Sequence, residues 1–260
     1  MIVSIITVNY NNVDGLKRTL SSVRNFSHHS DLDVEFIVVD GESNDGSVSE
    51  IVNVSPKDYH MFKFISEPDS GIYDAMNKGI ALLSMTSSYV LFMNSGDTFN
   101  GEASSLITKE SLISDIVIYG ISSTNEYGVE VPVRKIRTLK DIKSWPCFPH
   151  QSTFISTKYH KNNVYKLSYD ILADYDFFCK AYLDGLNITI KKTVISDFSQ
   201  GGVSNSTGHI LKFISELKDI QLRHFGKYNR SIVVNFYFKY MLRRLPFHEP
   251  IERLIRRIIF

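Results

Sequence analysis

Apolar residues recur along this chain with two periods. Residues 2–8, IVSIITV, form a β-branched run that is apolar on both faces, the pattern of a buried parallel strand. In VDGLKRTLSSVRNF (13–26) the spacing becomes helical, with Val13, Leu16, Leu20 and Val23 on one side. VEFIVVD (34–40) is a second strand. It leaves through GESNDGS, where Asp45 or Ser47 could cap the next helix. Residues 60–66 and 88–93 repeat the scheme. Strands and helices alternating over short connections predict an α/β fold: a right-handed, doubly wound, mostly parallel sheet with helices on both faces.

The rhythm changes after about residue 115. DIVIYGISSTNEYGVEVPVRKI reads as strands joined by a turn at Tyr127-Gly128, and a short strand begins at about Gln151. DYDFFCKAYLDG (174–185) is a helix closed by Gly185. NITIKKTVIS is a further strand, and a helix ends near Gly226. No repeat or low-complexity linker interrupts the chain. The expected organisation is one domain over 1–226, in two halves (1–115 and 116–226), followed by a tail over 227–260.

In that tail, Ile251, Leu254, Ile255, Ile258 and Ile259 fall on one helical face and Arg253, Arg256 and Arg257 on others. Lys239 to Phe260 carries six Lys/Arg against two Glu, a net +4. Such a basic amphipathic helix suits an anionic membrane surface. Packing on the domain or on a dimer partner is the other reading, which leaves a homo-oligomer open.

Over all 260 residues the net charge is only +1, so no global field attracts nucleic acid. Cys147 and Cys179 fit no zinc spacing and read as reduced thiols of a cytosolic protein. MIVSIITVNYNN has no basic leader and reads as a first strand rather than a signal peptide. No apolar run approaches the ~20 residues that span a bilayer.

Ligands of open α/β sheets bind beyond the carboxyl ends of the strands. Here Asp40 closes the second strand, Asp69 follows the third, and Asp97 follows the fourth in MNSGD. Three acids there would repel a bare phosphate. They suit a ligand with a metal ion between it and the protein, or one with N–H and hydroxyl groups to donate, and a nucleotide-sugar has all of these. No G-x-G-x-x-G follows strand one, which exits through NYNN, and no P-loop occurs.

SIITVNYNN, VVDGESNDGS, SEPDSGIYDAMNKGI, LFMNSGD, HQSTF, ADYDF and FSQGGVS occur in one order over roughly residues 1–205. Together they resemble the family 2 inverting glycosyltransferases of GT-A fold, and among these the bacterial enzymes that build O-antigen and exopolysaccharide repeat units. The resemblance implies a Rossmann-like GT-A domain. Thr7 and Asn9 would lie beside the base, and Asp40 would bond the base or ribose. Asp69 and Lys78 would face the sugar-nucleotide, with Gly71 letting the backbone approach. Asp74 reads instead as an acid at a helix N-terminus.

Asp97 falls on the last acid of the family's D-x-D, where this chain has N-S-G-D. It would hold Mn²⁺ or Mg²⁺ against the donor diphosphate, with Asn94 as a candidate neutral oxygen. Asp174 of ADYDF occupies the position of the catalytic base, and Asp176 is the second acid of that motif. His150 and Gln151 fall on a segment near the acceptor, while Gly201 and Gly202 belong to a loop that could close over the diphosphate. The implied partners are a UDP-sugar donor and an undecaprenyl-diphosphate-linked acceptor, at the cytoplasmic, inner face of the cell membrane. The implied reaction moves a hexose, glucose or galactose, to form a β-linkage. The alternatives are a sugar-phosphate nucleotidyltransferase, which would want a basic glycine-rich loop where NYNN stands, and a non-catalytic nucleotide-sugar-binding protein, which would need no base.

Overall fold

The computed structural model describes residues 1–124, 138–199 and 207–242. The first half runs β1 (Ile2–Asn9), α1 (Val13–His29), β2 (Asp33–Asp40), α2 (Ser47–Val52), β3 (Met61–Ser66), α3 (Ile72–Ala81), β4 (Ser87–Phe92), β5 (Thr98–Phe99) and α4 (Ala103–Leu106). The second runs β6 (Ile116–Thr124), β7 (Thr153–Ser156), α5 (Thr157–Asn162), α6 (Ala173–Leu183), β8 (Ile188–Ser199), α7 (Thr207–Phe225) and α8 (Arg230–Leu242).

The strands form one sheet in the order β3-β2-β1-β4-β7-β6-β8-β5. β1 to β4 are parallel, β7 is antiparallel to β4 and β6, β8 is parallel to β6, and β5 is antiparallel to β8. The doubly wound half is therefore as its periodicity predicts, and the rest of the sheet is mixed.

Alternation along the strands divides the core into two layers. Val3, Ile5, Phe36, Val38 and Leu91 pack against Leu16, Val23 and Phe26 of α1 and Ile51 of α2. Ile6, Val8, Ile37, Val39, Val90 and Phe92 pack on the other face against Met76 and Ile80 of α3, Phe177 and Phe178 of α6, and Ile214 and Leu217 of α7. α3 lies so near β1 that a methyl group on Gly79 would sit 2.5 Å from Ile6 Cγ2. His160 of α5 is fully buried among Phe92, Tyr165 and Phe177. Burial lowers its pKa to about 4, so it is neutral in the folded chain.

Several local expectations are corrected. α1 runs three residues past Phe26, to His29. Gln151 lies in a 3₁₀ turn, His150–Ser152, and the strand starts at Thr153. Neither Asp45 nor Ser47 is the cap residue of α2, which is Gly46; Asp45 accepts from the Ser47 and Val13 N–H groups instead. The tail begins with α8, which is apolar on both sides: Val233 and Phe236 face inward while Val234, Tyr237, Phe238 and Met241 are exposed. The turn at Tyr127-Gly128, the glycines 201 and 202, and the helix expected at 251–260 lie outside the described residues.

Candidate active site

The carboxyl ends of β1, β2 and β4 are tied together by the NYNN tract. Asn9 Nδ2 donates to Asp40 Oδ1 at 2.8 Å, and Asn9 Oδ1 accepts from Ser95 Oγ at 2.7 Å. Asn11 accepts from the Asn44 N–H, and Asn12 caps α1 at the Gly15 N–H while donating to Ser95 O. Thr19 of α1 completes the brace: its hydroxyl accepts from Gly96 N and lies 2.8 Å from Asp97 O. The N-S-G-D turn is thus held from two sides. Gly96 has φ +107°, which a residue with Cβ adopts only under strain.

The SEPDSGIYD segment brings a second group to the same place. Asp69 Oδ1 accepts from Gly71 N at 2.9 Å, and Asp74 Oδ2 accepts from Ser70 N at 3.0 Å, so Asp74 holds the start of α3. Gly71 has φ +118° with open space around its Cα. That conformation favours glycine there.

Asp174, the second residue of α6, faces these loops. Its Oδ1 accepts from Tyr73 Oη at 3.0 Å and Tyr175 N at 2.8 Å, and its Oδ2 lies 3.2 Å from His150 Nδ1. His150 Nε2 in turn lies 3.1 Å from Asn94 Nδ2. These partners assign the tautomer: Nδ1–H donates to the carboxylate, and Nε2 accepts from the amide. The amide is thereby oriented, and Asn94 Oδ1 is buried without a hydrogen-bond partner among the described residues. Burial, and then the Asp174 charge, push the Tyr73 phenol well above its usual pKa, so it remains a donor.

Asn9, Asp69, Tyr73, Asp74, Asn94, Asp97, His150 and Asp174 line one open cleft of about 1790 Å³, larger than a single small ligand requires. Among the described residues its walls carry Asp69, Asp74, Asp97, Asp170, Asp174 and Asp197 against one guanidinium, that of Arg18. A polyanionic ligand would need a cation there. Asp97, 3% exposed, and the orphaned Asn94 Oδ1 are hard oxygen donors of the type Mg²⁺ or Mn²⁺ takes. Among the described residues no three His, Cys, Asp or Glu gather as a self-sufficient metal cluster, so phosphate oxygens and water would have to complete the shell. On the far side Trp145, Phe213 and Phe236 form an aromatic wall, with ring centroids 5.6 Å apart for Trp145–Phe236 and 4.6 Å for Phe213–Phe236.

Asn9, Asp69, Gly71, Asn94, Asp97, His150, Gln151 and Asp174 therefore converge on the cleft. Four expected residues do not line it. Thr7 is buried, donating to Met93 O at 2.7 Å. Asp40 is buried and accepts from Asn9, Ser43 and Ser66. Burial pushes its pKa up, but the Ser43, Asn9 and Ser66 hydrogen bonds outweigh that and hold it below the usual carboxylate value. Lys78 leans back along α3 to Glu67 at 2.9 Å and Pro68 O at 2.6 Å. Asp176 is buried on the opposite flank of α6 under Lys166, Arg223 and His224.

Sequence reasoning missed Tyr73, Arg18, Asp197 and Tyr10, the last 67% exposed at the cleft mouth. Tyr73 stood within a singled-out motif, GIYD; Arg18 and Asp197 carry no local signal.

Residues 4–167 match the family model described as glycosyl transferase family 2. An uncharacterized glycosyltransferase of Mycobacterium tuberculosis (strain H37Rv) is 32% identical over 216 residues, covering 78% of this chain and 77% of that one. Among solved structures, Staphylococcus aureus TarS 1–349 in complex with UDP-GlcNAc superposes with TM-score 0.61 at 18% identity, covering 95% of this chain and 73% of that one. The mannosyltransferase PcManGT from Pyrobaculum calidifontis, in complex with GDP-Man and Mn²⁺, gives TM-score 0.58 at 12% identity, covering 84% and 62%.

Proposed function

Since the chain belongs to glycosyl transferase family 2 and has the GT-A fold, we propose that it is an inverting hexosyltransferase using a UDP-sugar and a lipid-diphosphate-linked sugar acceptor in the assembly of a bacterial surface polysaccharide. The observation that carries this reading is the placement of Asp174 and the Asn94–Asp97 turn on one cleft, joined through His150. The complexes of TarS with UDP-GlcNAc and of PcManGT with GDP-Man and Mn²⁺ support a nucleotide-sugar donor.

In this reading residues 1–115 hold the donor and 116–226 the acceptor. Tyr10 offers an exposed ring for the base, and Asp69 hydrogen-bonds the sugar-nucleotide. Asp97 and Asn94 hold Mn²⁺ or Mg²⁺, which supplies Lewis-acid neutralisation of the leaving diphosphate when bound. The acceptor sugar lies along Trp145, Phe213 and Phe236. Its hydroxyl oxygen attacks the anomeric carbon from the face opposite the diphosphate. As the C–O bond to the diphosphate breaks and its electrons leave with UDP, the hydroxyl proton passes to Asp174. One displacement inverts the centre, so an α-linked donor gives a β-glycoside.

A lipid-linked acceptor places the protein on a membrane surface. No described helix is long and apolar enough to cross one. α8 exposes Val234, Tyr237, Phe238 and Met241 along one stripe. From Phe225 to His248 the sequence has five Lys/Arg and no Asp/Glu. Its inward Phe236 lines the cleft, so an anionic bilayer under α8, taken to be the inner face of the cell membrane, adjoins the acceptor wall.

Assaying UDP release from UDP-glucose, UDP-galactose and UDP-GlcNAc, with and without a diphosphate-lipid sugar acceptor, tests the reading. Acceptor-dependent release and a β-product by NMR support it. An α-product, or pyrophosphate in place of UDP, overturns it.

A further inference from the structure

The loop that delivers Asp174 has no local cap. Leu172 is the N-cap residue of α6 and its side chain makes no capping hydrogen bond. The backbone N–H groups of Asp170, Ile171 and Leu172 instead converge on one buried carboxylate, Glu216 of α7. Glu216 is 6% exposed. Asp170 N lies 3.0 Å from Oε1, and Ile171 N and Leu172 N lie 3.0 and 2.9 Å from Oε2. Successive N–H groups at a helix start form a site for negative charge, and a carboxylate there makes charge-assisted hydrogen bonds.

The neighbouring turns of α7 point the same way. Lys212, Glu216, Asp219 and Arg223 follow one another at helical spacing. They engage in turn the Asp170 carboxylate, the three N–H groups, the Tyr169 hydroxyl and the Asp176 carboxylate. From the opposite side Tyr73 donates to Ile171 O at 2.8 Å and to Asp174 Oδ1. The segment from Tyr169 to Asp176 is therefore gripped between α7 and α3, with Asp174 at its centre.

We propose that Glu216 is a positioning residue for transfer: it anchors the loop before α6 and so sets where Asp174 meets the acceptor hydroxyl. The inference rests on Asp174 being the base. Glu216 does not line the cleft, so its contribution belongs to kcat. Glu216→Gln keeps the size but turns an NH₂ donor toward backbone donors that had an acceptor, which frees the loop. A displacement of about 1 Å at a reacting group costs on the order of 10²-fold in rate.

The test is steady-state kinetics on the full chain for wild type, Glu216→Gln, Asp174→Asn and the double variant, with folding followed by circular dichroism. The expected result is a 10- to 100-fold fall in kcat for Glu216→Gln at unchanged donor KM and unchanged UDP affinity. In the double variant the two losses should not multiply, because Glu216 acts through Asp174. Wild-type kcat in Glu216→Gln, beside an inactive Asp174→Asn, overturns the positioning role and leaves the base standing. Multiplying losses, or UDP affinity falling with kcat, also overturn it. Wild-type kcat in Asp174→Asn removes the base and the inference together. If Glu216→Gln does not fold, Glu216→Asp carries the same measurement, since it keeps the charge but withdraws the carboxylate by one methylene.

Discussion

His150 Nδ1 lies 3.2 Å from Asp174 Oδ2, and the other nitrogen of the same ring accepts from Asn94. One imidazole therefore spans the two walls of the cleft. Asp174 fixes the tautomer, the tautomer fixes the amide, and the amide leaves its buried oxygen in the turn that carries Asp97. Replacing the ring by His150→Ala should lower activity by ~10–100-fold, the usual cost of losing a partner that orients a ligand. Metal affinity should weaken in step. Titrating Mn²⁺ against activity in both proteins reads this out, and an unchanged half-saturation speaks against the link.

Asp174→Asn keeps the shape and the Tyr73 hydrogen bond but cannot take a proton. kcat should fall by ~10²–10⁴ with UDP affinity retained. Asp176→Asn should act differently. Its carboxyl lies under Lys166, Arg223 and His224, away from the cleft, so melting temperature should move more than kcat. The reverse pattern would exchange the two roles.

Chelation should abolish transfer, and Mn²⁺ or Mg²⁺ should restore it, if Asp97 and Asn94 hold a cation for the diphosphate. Asp97→Ala should be inactive at any metal concentration and should lose Mn²⁺ binding as measured by electron paramagnetic resonance. Full activity in EDTA excludes the metal role.

His160 gives the fold an acid-side weakness. Its pKa is about 4 in the folded chain against 6.5 for an unperturbed histidine. Between those values the unfolded chain binds the extra proton and the folded chain does not, so stability rises with pH. The effect is fully present above pH 6.5 and is lost progressively as pH falls toward 4. It amounts to ~3 kcal/mol at ~1.4 kcal/mol per unit. Thermal melts at pH 7 and pH 5 should show the loss, and His160→Phe should remove most of that dependence.

The exposed stripe of α8 predicts association with lipid. Full-length protein should co-sediment with anionic vesicles at low salt and less at high salt, since each nearby Lys or Arg adds ~1 kcal/mol that salt screens. Phe238→Ser with Met241→Ser should reduce sedimentation while UDP-sugar binding stays unchanged. Equal sedimentation of both proteins would assign the stripe to another contact.

How far the sequence could be read follows the range of the forces involved. IVSIITV and VEFIVVD have nearly every position buried, and their runs announce it. Asp97 and Asp174 stand out in the sequence because they sit at element boundaries within motifs, and the fold puts both on the cleft. Lys78 and Asp40, expected at the ligand, lie off the cleft lining for one shared reason: a polar group at a strand or helix end has protein partners as readily as ligands, and only the fold shows Glu67, Ser43 and Ser66 in place. Glu216 was illegible altogether, because its three partners lie 44 to 46 residues away and are backbone groups that carry no sequence signature.

The missing methyl group of Gly79 has a mechanical consequence. α3 rests on Ile6 with no side chain between them, so β1 serves as a datum from which the helix is located. Tyr73 projects from the same helix about 9 Å up its axis and touches the proposed base. An error of placement at Gly79 is carried along a stiff lever to Asp174. Gly79 therefore calibrates a site that it never meets.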